Sequence, residues 1–170
     1  MLLQIAKRYY NAKALITAAS LSNMKFCKDM GADVVIDYHK AGVFDALADN
    51  SVDIVVDNHG AKGTADLALR TVRPGGVYIL LPGGGGGKLS SKGKAGVAQI
   101  NYGFTTSADH ADLDLLKELF EQGRAKPHVQ QSFTLETAAQ AFTRSKAGHV
   151  VGKVAVVNEH YNSAIAALPR

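Results

Sequence analysis

Residues 14–38 read ALITAASLSNMKFCKDMGADVVIDY, and this stretch sets the rhythm of the chain. Residues 14–18 are a continuous apolar run of strand length. Ser20, Ser22 and Asn23 are helix-capping types, and Met24, Phe26, Cys27 and Met30 then recur at helical spacing. Gly31 follows, the residue type that ends helices most easily because it adopts the left-handed conformation without penalty. Residues 34–36 are a second apolar run. Runs unbroken by polar alternation belong to strands covered on both faces, as in a parallel sheet.

The rhythm extends in both directions. Leu2, Leu3, Ile5, Ala6, Tyr9 and Tyr10 predict a helix over residues 2–10, with Asn11 as its stop. Downstream, residues 43–47 read as a short helix and 54–56 as a third strand closed by Asp57 and Asn58. Residues 61–72 read as a helix terminated by Pro74-Gly75-Gly76, and 77–81 as a fourth strand. A strand over 97–104 and an amphipathic helix over 108–122, built on Leu113, Leu115, Leu116, Leu119 and Phe120, follow. Residues 127–133, 134–146 and 150–157 give a strand, a helix and a final strand, and 158–170 read as a tail. Strands alternating with helices predict βαβ units with right-handed crossovers, and so an α/β, Rossmann-like, doubly wound parallel sheet.

Composition narrows the function classes. With 170 residues, 46% apolar content and 20% charge the chain suits one ordinary globular core, and no apolar run approaches the ~20 residues of a membrane span. A formal charge of +4 with dispersed lysines predicts no nucleic-acid partner. Cys27 is the only cysteine, which excludes an internal disulfide, a CxxC pair and a cysteine-built zinc site, so no metal is expected. A reducing compartment, the cytoplasm, fits best. Residues 1–28 carry Lys7, Arg8, Lys13, Lys25 and Lys28 and no acid, a balance that also occurs in transit peptides and leaves a mitochondrial address as the alternative.

Gly83 to Gly87 are five consecutive glycines. A phosphate-binding Walker loop would need glycine where Pro82 stands and Ser or Thr where Leu89 stands, and a dinucleotide GxGxxG would place its third glycine on Lys88. Residues 83–96 therefore read as a flexible surface loop with almost nothing to bury. A dinucleotide-binding sheet carries its glycine fingerprint after its first strand, feeding a helix. Here the helix of residues 2–10 is present and its feed is not, which predicts a sheet lacking its first strand and glycine-rich turn.

The blocks LQIAK (3–7), MGADVVIDY (30–38), VDIVVDN (52–58), LRTVRPGGVYI (69–79) and GHVVGKVAVV (148–157) stand in one register. In that order and spacing the chain resembles the C-terminal part of medium-chain dehydrogenase/reductases, above all the zinc-independent quinone oxidoreductases and enoyl reductases. The resemblance implies an NADPH-dependent oxidoreductase that transfers hydride to a small-molecule quinone or α,β-unsaturated carbonyl. It also implies a nucleotide-binding domain over residues 1–126, a remnant of the substrate-binding domain over 127–157 and a tail over 158–170. Val129, Phe133, Val150 and Val154 of that remnant are expected to lack much of their cover.

The same resemblance implies a cofactor site at the carboxyl edge of the sheet. Ser20, Asn23 and Lys25 follow the strand that meets the adenosine ribose, and Tyr38 resembles a tyrosine near the ribose phosphate. No acidic residue lies between Ala18 and Lys28, whereas NAD-dependent relatives of this fold place one there to bind the ribose 2′-hydroxyl, so NADPH is the expected cofactor. Asn58 would face the cofactor ribose, Leu81 the nicotinamide, and Tyr102 and Phe104 the carboxamide. His59 departs from the family pattern, and Lys153 recurs in the family; neither is assigned a role, and no catalytic residue is named. The alternatives are a non-enzymatic nucleotide-binding or interaction remnant and a methyltransferase-like α/β domain. Loss of the first strand predicts either that its two neighbours pair directly or that they keep open edges, making a homodimer possible.

Overall fold

The computed structural model describes residues 1–81, 86–102 and 110–158; Phe104 and all but the first residue of the 158–170 tail lie outside them. The chain packs as two compact units, one of residues 14–115 and one of residues 1–13 with 116–170.

The 14–115 unit begins with β1 (Ile16–Ala19), a single turn of 3₁₀ helix (Leu21–Asn23), α2 (Met24–Asp29) and β2 (Val34–Asp37), preceded in the chain by α1 (Leu2–Arg8). It continues with β3 (Val52–Asp57), α3 (Thr64–Thr71), β4 (Val72–Leu80) and β5 (Ala98–Asn101). The strands pair in parallel: β1 with β2, and β3, β4 and β5 in that order. The strand–helix alternation therefore yields the parallel α/β architecture that its continuous apolar runs require. β1 and β3 do not hydrogen-bond to each other. Direct pairing of β1 with β3, one of the two arrangements expected, is not formed.

The core of this unit lies where α3 covers β4. Ala65, Ala68 and Leu69 pack on Tyr78 and Leu80, with Phe44, Val55, Leu89 and Val97 around them. Small residues on α3 let the helix approach the sheet closely enough to enclose the whole Tyr78 side chain.

Three local expectations are corrected. Residues 43–47 form turns, not a helix. The Arg70 guanidinium binds the Phe44 and Leu47 carbonyls, at 2.5 and 3.4 Å, and so takes acceptors that a continuing helix would use. Pro74-Gly75-Gly76 does not end the helix. Extended backbone at Val72 does, and the three residues lie inside β4, where the register against β3 shifts between Val52 and Ile54. Gly76 passes so close to the Asp53 carbonyl that a β-carbon there would collide with it.

The third correction concerns residues 86–96, which are pinned rather than loose. Gln99 exchanges two hydrogen bonds with the Ser90 backbone, at 2.8 and 3.1 Å. Lys94 Nζ donates to Asn50 Oδ1 and to the Arg70 and Val72 carbonyls, and Gly75 N–H donates to Gly96 O at 2.6 Å. The loop buries little, as its composition predicts, but its polar groups find partners far away in sequence.

In the second unit, α4 (Ala111–Glu121) leads in from the first, followed by β6 (Val129–Thr134), α5 (Ala138–Lys146) and β7 (Lys153–Val157). β6 and β7 pair in parallel. Gln4, buried on α1, exchanges two hydrogen bonds with the Lys126 backbone, at 2.9 and 3.0 Å, so α1 packs with the C-terminal part of the chain. Between α5 and β7 lies a groove of about 440 Å³ bordered by Phe142, Val150, Val154 and Val156. Phe142 is 76% exposed there. Of the four residues expected to lack cover, Val129 is exposed, while Phe133, Val150 and Val154 are half-buried.

Candidate functional site

In a parallel sheet every strand delivers its carboxyl end in one direction, so the loops that follow the strands converge on one edge. The β1–β2 pair and the β3–β4–β5 sheet each have such an edge, and the register of each fixes which residues stand there. Ala19 stands opposite Asp37, and Tyr38 N–H donates to Ala19 O at 3.4 Å. Asp57 stands opposite Leu80 and Leu80 opposite Asn101; Leu81 N–H reaches Asp57 O at 3.0 Å and Tyr102 N–H reaches Leu80 O at 2.8 Å. Ser20, Tyr38, Asn58, Leu81 and Tyr102 are therefore each the first residue beyond the carboxyl end of a strand.

The polar groups after β1 are not absorbed by helix capping. Ser20 precedes the 3₁₀ turn and Asn23 precedes α2, yet neither makes a side-chain cap bond. The Ser20 and Ser22 hydroxyls lie 3.0 Å apart. Lys25 pairs with Asp29 at 2.7 Å, one helical turn along α2. Its side chain is 86% exposed, and such a pair is worth only about 0.3–0.5 kcal/mol, so an anionic ligand can compete for it. Tyr38 is exposed, its ring 4.4 Å from the His39 imidazole. Lys153 starts β7 in the other unit, exposed, as a solvated lysine would be.

The most elaborate polar arrangement was not singled out from the sequence. Asp57 closes β3, and its Oδ1 accepts the backbone N–H groups of His59 at 3.1 Å and Gly60 at 2.8 Å. Its Oδ2 accepts the Thr64 hydroxyl at 2.8 Å and the Tyr78 hydroxyl at 3.0 Å. Burial by itself would raise this carboxyl, but the bonds from Gly60, Thr64, Tyr78 and His59 outweigh it and hold the group below the usual carboxylate range. Burial, together with the bond to Asp57 and its charge, pushes the Tyr78 phenol up to about 12. An aspartate two and three residues before the amides it binds is a local turn signal. Its link to Tyr78 spans 21 residues and has no signature in the sequence.

Burial raises the Cys27 thiol, which leaves less of the nucleophilic thiolate at neutral pH. Among the described residues no three His, Cys, Asp or Glu side chains form a group able to hold a metal.

Parallel sheets alternating with helices define a Rossmann-like class of α/β fold. The model of the zinc-binding dehydrogenase family matches residues 30–156, and the chain belongs to that family. An NADPH-dependent alkenal/one oxidoreductase of Arabidopsis thaliana, a chloroplastic protein, is 29% identical over 92% of this chain and 36% of its own length. A 2-methylene-furan-3-one reductase of Solanum lycopersicum is 26% identical over the same shares. The chain thus spans little more than a third of these relatives. The structure of a quinone oxidoreductase from Coxiella burnetii superposes with a TM-score of 0.71 over 89% of this chain and 46% of its own, at 24% identity, a likeness of fold. No described helix is long and apolar enough to cross a membrane.

Proposed function

We propose that residues 1–126 are the nucleotide-binding part of an NADPH-dependent reductase acting on a small-molecule quinone or α,β-unsaturated carbonyl. Residues 127–157 then belong to a substrate-binding part, with 158–170 as a tail. When bound, NADPH supplies the hydride, and the protein supplies position and electrostatics. The observation that carries this reading is the placement of Ser20, Tyr38, Asn58, Leu81 and Tyr102 just beyond the carboxyl ends of the strands of two parallel sheets. Ser20, Asn23 and Lys25 offer donors and positive charge to a 2′-phosphate, in a loop with no acid between Ala18 and Lys28. Phe104 is assigned to the carboxamide side by the same reading. The relatives named above, two reductases of conjugated carbonyl compounds, support the substrate class.

A second reading, nucleotide binding without useful turnover, is favoured by the edges of β1 and β3, which do not pair with each other. The same edges make self-association of this chain the expected behaviour in solution. One experiment tests both readings. NADPH and NADH are titrated against the protein, and oxidation of the bound nucleotide by a quinone is followed. Tighter binding of NADPH with measurable oxidation supports the reductase, and tighter binding without oxidation supports the second reading. Equal affinity, or preference for NADH, rejects the cofactor assignment. Ser20→Asp should shift preference toward NADH, because a carboxylate there repels the 2′-phosphate and can bind a 2′-hydroxyl.

A further inference from the structure

The turn after β3 is held from two sides. From within, the Asp57 carboxylate takes both available amides of the turn, those of His59 and Gly60, on one oxygen. Its other oxygen is anchored to α3 through Thr64 and to β4 through Tyr78, which is completely buried. From outside, the backbone of Gly87 lies against the turn, its N–H 2.5 Å from Gly60 O. Ala61 and Gly86 form an antiparallel bridge beside it. A β-carbon at position 87 would collide with the carbonyls of Gly60 and Ala61, so only glycine permits this approach. Gly60 is buried between the two contacts, while Asn58 and His59 remain exposed. The end of the glycine run thus has a structural use that is not phosphate binding.

We infer that Asp57 is a positioning residue: with Gly87 behind it, its carboxylate fixes the turn 58–60 so that Asn58 and His59 are presented at the carboxyl end of β3, where a bound dinucleotide would meet them. This rests on the cofactor reading above. A carboxylate suits the task better than a neutral group, since bonds to a charged acceptor are about twice as strong as neutral ones. The constraint is also cooperative. Four donors from β4, α3 and the turn itself meet at one side chain, so a shift in any of them is transmitted to the two amides.

The test compares NADPH affinity with thermal stability in four variants. Asp57→Ala frees both amides, and Gly87→Ala pushes the turn from the opposite side. Each is expected to weaken NADPH binding by the folded protein by about tenfold or more, the equivalent of one lost charge-assisted bond. Asp57→Asn keeps one oxygen for the two amides and should restore part of that loss. Val72→Ala, a buried change at the amino end of β4 remote from the turn, serves as the stability control; it should lower the melting temperature and leave affinity within about twofold. If Asp57→Ala and Gly87→Ala lower only the melting temperature, as Val72→Ala does, Asp57 is merely structural and the inference is overturned. If the unsubstituted protein binds neither NADPH nor NADH, the cofactor reading itself fails, and the inference with it.

Discussion

The β3–β4–β5 sheet and the β1–β2 pair are built on the same parallel rule and differ in what covers and ties them. Over β4, α3 encloses Tyr78 and Leu80, and the Asp57 carboxylate joins strand, turn and helix. In the β1–β2 region only Ala19, Ala32 and Val35 are buried, while Ile16 and Val34 are exposed. There Asp33 accepts the Leu15 N–H and Asp37 the His39 N–H, and the loop after β1 leaves Ser20 and Asn23 without cap bonds. The comparison teaches that one sheet rhythm produces a rigid half and a lightly anchored half. Rigidity follows the covering helix, and polar groups bonded only to close sequence neighbours collect where that cover is thin.

Truncation of the two cores should separate the halves most sharply. Leu80→Ala removes a fully enclosed side chain, and a loss of about 2–5 kcal/mol is expected in urea denaturation. Val35→Ala removes two methyl groups from a thinner layer and should cost about 1–2 kcal/mol. Equal losses would break the distinction.

The pH dependence of stability should be of intermediate size and should belong to the rigid half. Asp57 has a lowered folded pKa, so its contribution is present above the ordinary carboxylate range and disappears as the pH falls through the folded value, below about 4. Tyr78 has a raised folded pKa, so its contribution is complete below pH 10 and disappears as the pH rises from 10 toward about 12. Thermal melts across pH should lose their acid limb partly in Asp57→Asn and their alkaline limb partly in Tyr78→Phe. Unchanged limbs in both variants would show that the network does not govern stability.

The smallest effect on stability should come at the β3 edge of its sheet. Ile54, on β3, is 59% exposed, and Ile54→Lys should change monomer stability by only about 0.5 kcal/mol or less. It should nevertheless reduce self-association measured by sedimentation, because a charged side chain blocks strand addition. A monomeric wild-type protein with a cooperative melt above about 65 °C would remove the case for reactive edges.

Much of the fold was legible because it is written in local periodicity. The apolar runs place β1, β2 and β3 to within two residues, β4 begins five residues before its run, and Gly31 ends the turn after α2 with φ of 111°. Ser20, Tyr38, Asn58, Leu81 and Tyr102 come from the family resemblance; each stands just beyond the carboxyl end of a strand, whereas the apolar runs put Leu81 and Tyr102 inside their strands. The short helix at 43–47 failed because Arg70 takes its carbonyls, and the loose loop at 86–96 failed because Lys94 finds partners at Asn50, Arg70 and Val72 and Gln99 holds the Ser90 backbone.

By itself the sequence determined the element order, the parallel character of the sheet and the lack of acid beside Ser20, since each depends on side-chain type and spacing along the chain. Only the tertiary structure decided that Gln4 meets Lys126, that Tyr78 joins Asp57, that Gly87 presses on Gly60 and that β1 and β3 do not pair. Those contacts depend on which surfaces meet when helices cover the sheet, and hydrogen-bonding groups far apart in the chain carry no mark of the partner that packing will bring them.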